Sequence, residues 1–492
     1  MSSYAYDLIV IGGGAAGLTA SGLAASFGAK TMMVERHRLG GDCTWTGCVP
    51  SKTIIKAAHV AHAMRDAGHV GLTDTAPEIP FDKVVAHIHA VREEVYHDAD
   101  RPEIYEDLGV DLRFGDARFT DPHRIVIEGE DGSEEVSARK FVIATGGRAF
   151  VPPIDGIDAV DVLTNDSLFE MTEQPASLVV IGGGPIGTEM AQSFTRLGTE
   201  VTVVDQGQRI LGRDDAEHAE MLRASLEAEG VRFVLGARVE RLAEEDGQKV
   251  VYASVGGEAR ALRADAVLVA TGRRPNIEDL GLDAAGVTTT KRGIKVNDRC
   301  LTSQSHIFAA GDCTGEYQLT HMSEHMAKIA TTNAILRVPS TLDRKHVPWA
   351  TFADPEIAHV GATEEELKER GAKYEVFRFP YTKVDRAITE SSTTGQIKVF
   401  ATKWRGTILG ASVLGDRAGE LISLYGVAMK NGVTLRAIAD TIFPYPTYAL
   451  GARRAADQWY ARKQYPGVVR TVQKLFGYRG PEPKPIDPNR IV

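Results

Sequence analysis

Two stretches of this chain, DLIVIGGGAAGLTASGLAASFGAKTMMVE at 7–35 and SLVVIGGGPIGTEMAQSFTRLGTEVTVVD at 177–205, carry one pattern: an apolar strand, a glycine turn, a helix and a second strand ending in an acid. In the first, Gly12, Gly14 and Gly17 give GxGxxG directly after the strand; in the second, Gly182, Gly184 and Gly187 do the same. The first glycine permits the tight turn, the second lets a pyrophosphate approach the backbone, and the third lets helix pack on strand. Glu35 and Asp205 each lie 23 residues past the first glycine of their unit, placed to accept from a ribose 2′-hydroxyl. Two matches with identical spacing predict two Rossmann-like dinucleotide-binding domains in an α/β chain. Asp205 favours NADH, because it would repel a 2′-phosphate, while Arg209 and Arg213 just beyond keep NADPH open.

Two strand-end segments echo each other as well, FVIATGGRAF (141–150) with Thr145 and Gly146, and VLVATGRRPN (267–276) with Gly272. Each places a glycine where a strand leaves its sheet and the chain passes between domains. The second unit is therefore an insertion: 1–150 and 277–344 form the first domain, and 151–276 the second. The first domain closes with IFAAGDCTG, where Asp312 is placed to bond a ribityl hydroxyl. From 345 to 465 a strand, proline turn, strand and acid-capped helix, then a hairpin and an amphipathic helix, predict an α+β module. A tail from 466 to 492 puts Val468, Val469, Val472, Leu475 and Phe476 on one helical face before a proline-rich end. That face is expected to pack on the protein's own dimer, with a membrane surface as the less favoured partner.

Composition narrows the function. The net charge of −10 leaves no basic field for nucleic acid, and no run of about 18 apolar residues suggests a membrane span. The N-terminal residues lack a secretory pattern, so a cytoplasmic protein is expected. Four cysteines in 492 residues make no disulfide scaffold, and a close cytosolic pair points to chemistry. That pair is Cys43 and Cys48 in GGDCTWTGCVPSK, residues 40–52. Zinc is disfavoured without a second close pair. Cys300 and Cys313 read as core residues, and His321 and His325 as structural rather than metal-binding. Trp45 reads either as packing or as an apolar face for a planar acceptor such as a quinone.

With the GGxCxxxGCxPSK motif behind the first unit, the chain to about residue 462 resembles the flavoprotein disulfide reductases, which include dihydrolipoyl dehydrogenase, glutathione reductase and mercuric reductase. The resemblance implies FAD in the first unit, NAD(P)H in the second and a homodimer built on the C-terminal module. It implies that Cys48 is the flavin-side thiol and Cys43 the interchange thiol, that Lys52 and Glu189 form the ion pair beside the flavin, and that Asp312 is the AxGD aspartate. Relatives acting on dithiols carry HPTxxE near the C-terminus, with its His as acid–base partner of the interchange thiol. Here Tyr445 and Leu450 stand in the His and Glu positions. A tyrosine with an ordinary pKa of about 10 is a poor base near neutrality, and losing the base costs roughly 10²–10⁴-fold in dithiol exchange.

Mercuric reductases share that tyrosine, since a soft metal ion needs thiolate ligands and electrons more than a base. The expected acceptor is thus a soft metal ion, with Cys43 and Cys48 as transient ligands and no resident metal. The likeness to mercuric reductases departs at Leu450, at the DPNRIV end, where those enzymes carry a vicinal cysteine pair, and at the early start of the first unit. A dihydrolipoyl dehydrogenase-like disulfide reductase, an NAD(P)H:quinone reductase and a non-enzymatic flavin redox sensor are the alternatives.

Overall fold

The computed structural model describes residues 4–130, 132–462 and 466–481. Strand β1 (Tyr6–Ile11) pairs in parallel with β2 (Thr31–Glu35) on one side and with the strand Gly132–Ile143 on the other. Leu8, Ile9 and Val10 are fully buried, as an unbroken apolar strand of a parallel sheet covered on both faces must be. The sheet has seven strands, and Ile307–Ala309 completes it beside Gly132–Ile143. This return of the chain to the first sheet after the insertion follows the sequence echo.

Helix α1 (Ala15–Ser26) runs from the first glycine turn. A Cβ on Gly17 would lie 1.7 Å from the Gly12 carbonyl oxygen, so no other residue allows this helix to start so close to the strand. Its Ala16, Ala20 and Ala24 pack with Met322, Met326, Ala327 and Ala330 of the helix Thr320–Thr331. Small residues let the two helices approach, and that approach sets the position of Thr320.

The inserted unit repeats the arrangement. Its parallel strands run in the order Arg232–Leu235, Glu200–Asp205, Ser177–Ile181, Ala266–Val269, and a Cβ on Gly187 would lie 1.9 Å from the Gly182 oxygen. The two echoing strand-end segments pair with each other: Gly147–Ala149 and Arg273–Pro275 form an antiparallel ribbon, with Arg273 opposite Ala149. The chain leaves the first sheet and returns from the second through one structure.

The C-terminal module is a five-stranded antiparallel sheet covered by the helices Ala418–Lys430 and Ala449–Ala461. The hairpin read from the sequence is Gln396–Ala401 paired with Ile408–Leu414. The acid-capped helix is Glu364–Glu369, where Thr363 and Glu366 exchange side-chain-to-backbone bonds in a capping box. The tail forms the helix Pro466–Phe476, whose Val468, Val472, Leu475 and Phe476 are exposed on the protomer; the proline-rich end past 481 lies outside the described residues. Among the described residues no helix is long and apolar enough to cross a membrane.

A polar seam joins the inserted unit to this sheet. Lys398, 2% exposed, reaches Asp215 at 2.8 Å and Glu217 and Glu364 at 3.1 Å. His218 Nδ1 lies 2.7 Å from Ser412 Oγ, and His359 stacks on Trp349, whose indole donates to Asp214 at 2.8 Å. Burial pulls both histidines down from 6.5 to about 4. The unfolded chain takes up protons at these sites from about pH 6.5 and the folded chain only near 4. Stability should therefore be lost as pH falls through that window. Thermal melts at pH 7.5 and 4.5 should show it, and His218→Gln should shrink the drop; an equal drop in the variant would refute a role for His218.

Candidate active site

The segment carrying the cysteines is pressed against the first glycine turn. Gly14 and Gly40 form an isolated parallel bridge, and a Cβ on Gly41 would lie 2.8 Å from the Gly14 Cα. Cys43 lies in the short helix α2 (Gly41–Trp45), and Cys48 is the first residue of α3 (Cys48–Arg65). Both are free thiols on a cleft of about 930 Å³. The same cleft is lined by Gly12, Gly14, Glu35, Thr145, Gly146, Lys52, Glu189 and Asp312. Residues remote in sequence are thus collected around the two sulfurs.

Cys48 Sγ lies 3.2 Å from Thr320 Oγ1. The hydrogen bond from Cys43 pulls the Cys48 thiol down to about 6 against the cost of burial, with help from Thr320 and the Lys52 charge. The same bond, with burial, pushes Cys43 strongly up. Of the two thiols, Cys48 is therefore the more readily ionised. The start of an 18-residue helix at Cys48 adds a favourable dipole. Alkylation of the reduced protein by iodoacetamide should accordingly show a midpoint near pH 6. A single midpoint close to the ordinary thiol value of about 8.5 would overturn the assignment of Cys48 as the readily ionised thiol.

Lys52 Nζ meets Glu189 at 3.0 Å, because α3 packs through Ile54, Ala58 and Ala61 on Met190, Ala191 and Phe194 of the helix Pro185–Leu197. Glu189 also accepts from the Phe352 amide at 2.8 Å, and Lys52 lies 4.6 Å from the Phe352 ring centre. The pair named from sequence is therefore brought together and braced by the C-terminal module.

The two acids cap their own turns. Glu35 accepts from the amides of Gly13 and His37 at 2.6 and 2.9 Å, and Asp205 from those of Gly183 and Gly207 at 2.6 Å. Arg209 is engaged by Glu365 at 2.7 Å and by the Gly212 carbonyl. Thr145 donates to the Asn276 carbonyl at 2.6 Å, and Gly146 and Gly272 take positive φ with open space beside them. Gly182, Gly184, Gly187, Asp205 and Gly272 are not part of the cysteine cleft.

Two residues without a sequence-derived role belong to the site. Arg273 bridges Asp42 at 3.0 Å and Asp312 at 3.1 Å, and Thr320 meets Cys48. A charged residue directly after the strand-end glycine was the available signal for Arg273; Thr320 carried none. Trp45 is resolved as packing: it is 6% exposed, donates to the Leu39 carbonyl at 2.7 Å, and lies against Arg38 and Tyr96. It offers no face to an acceptor. Cys300 and Cys313 are buried and pushed up to about 12 by desolvation. His321 bonds the Pro348 carbonyl at 2.9 Å, and no group of three metal-ligating side chains occurs among the described residues. Tyr445 is 70% exposed and lies outside the cleft of its own protomer, whereas Leu450 is buried at 8%.

Two nucleotide-type units and a cleft bearing a close cysteine pair between sheet and module describe an oxidoreductase driven by a pyridine nucleotide. The chain belongs to the pyridine nucleotide-disulphide oxidoreductases: the family's profile matches residues 6–327, and that of its dimerisation domain residues 347–456. A mercuric reductase from Lysinibacillus sphaericus is 36% identical over 92% of this chain and 82% of its own length. A dihydrolipoyl dehydrogenase from Bacillus subtilis is 33% identical over 92% of this chain and 97% of its own. Among solved structures, the Cu(II) complex of the HOCl-induced flavoprotein disulfide reductase RclA from Escherichia coli superposes with a TM-score of 0.83 at 29% identity, covering 93% of this chain and 99% of the other. The protein is an FAD-dependent oxidoreductase using NAD(P)H.

The residues fit the flavin nucleotide. A Cβ on Gly14 would meet nothing nearer than the Gly41 Cα at 3.6 Å, and one on Gly184 nothing within 4 Å, so in both units the middle glycine leaves the turn open to an approaching phosphate. Glu35 and Asp312 line the same cleft.

Proposed function

We propose that this enzyme passes two electrons from NADH through Cys43 and Cys48 to a soft metal ion, with Hg(II) as the leading acceptor. FAD and NADH supply two-electron transfer when bound. The Cys43–Cys48 disulfide takes up two electrons and one proton, leaving Cys43 as thiol and Cys48 as thiolate, the charge state favoured by their mutual hydrogen bond. Lys52, fixed by Glu189, adds positive charge on the thiolate side. A soft cation binds the sulfurs, because thiolate is the ligand that suits it. Two electrons then pass to the metal, the disulfide re-forms, and the Cys43 proton leaves.

The observation that carries this reading is the state of the base position. Asp385 pushes the Tyr445 phenol further above its ordinary value, so it stays protonated and accepts no proton near neutrality. Leu450, buried, offers no carboxylate to orient a base. Reducing a metal ion needs neither, whereas dithiol exchange is slowed by roughly 10²–10⁴-fold without a base. Steady-state assays with Hg(II), Cu(II), dihydrolipoamide, oxidised glutathione and a quinone should show metal-dependent NADH oxidation as the dominant activity. Cu(II) belongs in the set because the E. coli neighbour was solved as its complex. Robust dihydrolipoamide turnover would overturn the proposal in favour of a dihydrolipoyl dehydrogenase.

For the nucleotide, the Asp205 carboxylate and the engagement of Arg209 by Glu365 both work against a 2′-phosphate. The ratio kcat/KM should favour NADH by about tenfold or more, a difference of roughly 1.4 kcal/mol. Equal use of NADPH would remove Asp205 as the discriminating group.

A further inference from the structure

We propose that Asp42 is a positioning residue: with Arg273 it pins the interval between the two redox cysteines and sets the charge beside their sulfurs. The inference rests on the reading of Cys43 and Cys48 as the working pair. Asp42 occupies the position that the cysteine motif leaves open, directly before Cys43. One of its carboxylate oxygens meets Arg273 at 3.0 Å; the other accepts from Asn165 Nδ2 at 3.0 Å and from the Thr46 hydroxyl. Its carbonyl accepts from the Thr46 amide at 2.9 Å, and Asn165 also donates to the Thr46 carbonyl at 3.3 Å. The loop folds back so tightly that a Cβ on Gly47 would lie 2.9 Å from the Asp42 carbonyl oxygen. Both ends of the interval are therefore tied to Asn165, which is 6% exposed, and through Asp42 to Arg273.

Arg273 is itself held. Its side chain is 11% exposed, it bonds Asp312 at 3.1 Å and the Gly147 carbonyl at 3.0 Å, and its backbone pairs in the ribbon that joins the two nucleotide units. The cysteine loop is thereby anchored to the element through which the chain enters and leaves the inserted domain. Asp42 and Lys52 act on the sulfurs directly, and Asp166, Arg273 and Asp312 surround Asp42. Asp166 and Asp312 are pushed up mainly by burial, with Asp42 adding to both, and Asp42 also opposes ionisation of Cys43 and Cys48. Asp42 thus does two separable things: its contacts keep the sulfurs within reach of each other, and its charge restrains the thiolate.

The test compares Asp42→Asn and Asp42→Ala with wild type as FAD-loaded enzyme. Asp42→Asn keeps an acceptor for Asn165 and Thr46 but removes the charge. Iodoacetamide alkylation of the reduced enzyme at pH 5 should then run about two- to tenfold faster. Asp42→Ala removes the pins as well, and its Cys43–Cys48 couple, equilibrated with dithiothreitol buffers of defined ratio, should be reduced about tenfold more readily, which is roughly 30 mV for a two-electron couple. If Asp42→Ala does not retain FAD, the alkylation profile of Asp42→Asn decides alone. An unchanged profile in Asp42→Asn together with an unchanged couple in Asp42→Ala, or an unchanged profile where only Asp42→Asn can be measured, would overturn the proposal while leaving the redox pair standing. A wild-type enzyme with no titratable Cys43–Cys48 couple would instead overturn the reading on which the inference rests.

Discussion

Cys43→Ala is expected to lower metal-dependent NADH oxidation by on the order of 10³-fold or more, because the variant can neither form the disulfide nor offer the metal two sulfurs. Cys43 lines the cleft rather than filling a core, so FAD content should be retained and serves as the control for folding. The variant carries a second, independent signature. Cys48 owes its low thiol value first to the hydrogen bond from Cys43, so with that donor gone its alkylation midpoint should rise well above 6. Burial then acts against the thiolate, leaving only Thr320 and Lys52 to support it. A variant that keeps appreciable Hg(II) turnover would show that electrons reach the metal without this pair. One that loses turnover but keeps the low midpoint would show that Lys52 and Thr320 suffice to hold the charge.

Tyr445→His is expected to raise kcat/KM for dihydrolipoamide by up to about 10²-fold, short of the full 10²–10⁴-fold that a well-oriented general base provides. The shortfall has a physical origin in Leu450, which cannot accept from the imidazole and fix its tautomer. The gained activity should rise with pH through about 6.5, as the new imidazole becomes neutral and able to take a proton. Hg(II) turnover should respond far less. Tyr445 stands exposed on its protomer, so the substitution leaves the core undisturbed. If dithiol turnover is unchanged, the acceptor is selected by the shape or charge of the cleft and not by the missing base.

The two nucleotide units were legible in the chain because each is local. A tight turn, a close helix and a carboxylate at a set distance are demands that backbone sterics place on one short segment, and Gly17 and Gly187 show them met. The same holds for the cysteine motif, the hairpin at 396–414 and the capping box at Thr363. Lys52 and Glu189 were found only through resemblance, since nothing local in either residue points to the other. Trp45 shows the converse failure: an aromatic beside two cysteines fits a packing role and a binding role equally, until its indole is seen to donate to Leu39.

From the order of its residues alone, then, this chain declares an α/β fold with two nucleotide turns and a close cysteine pair, because glycine spacing, strand patterning and residue type are properties of neighbours; the reductase chemistry and the substituted base were read through the resemblance. Folding had to bring in the rest. The contact of Cys48 with Thr320, the bracing of Lys52 by Glu189, and Arg273 held between Asp42 and Asp312 all arise where separate elements converge. Charge and hydrogen bonding act across a few ångströms of space, and distance along the chain carries no record of them.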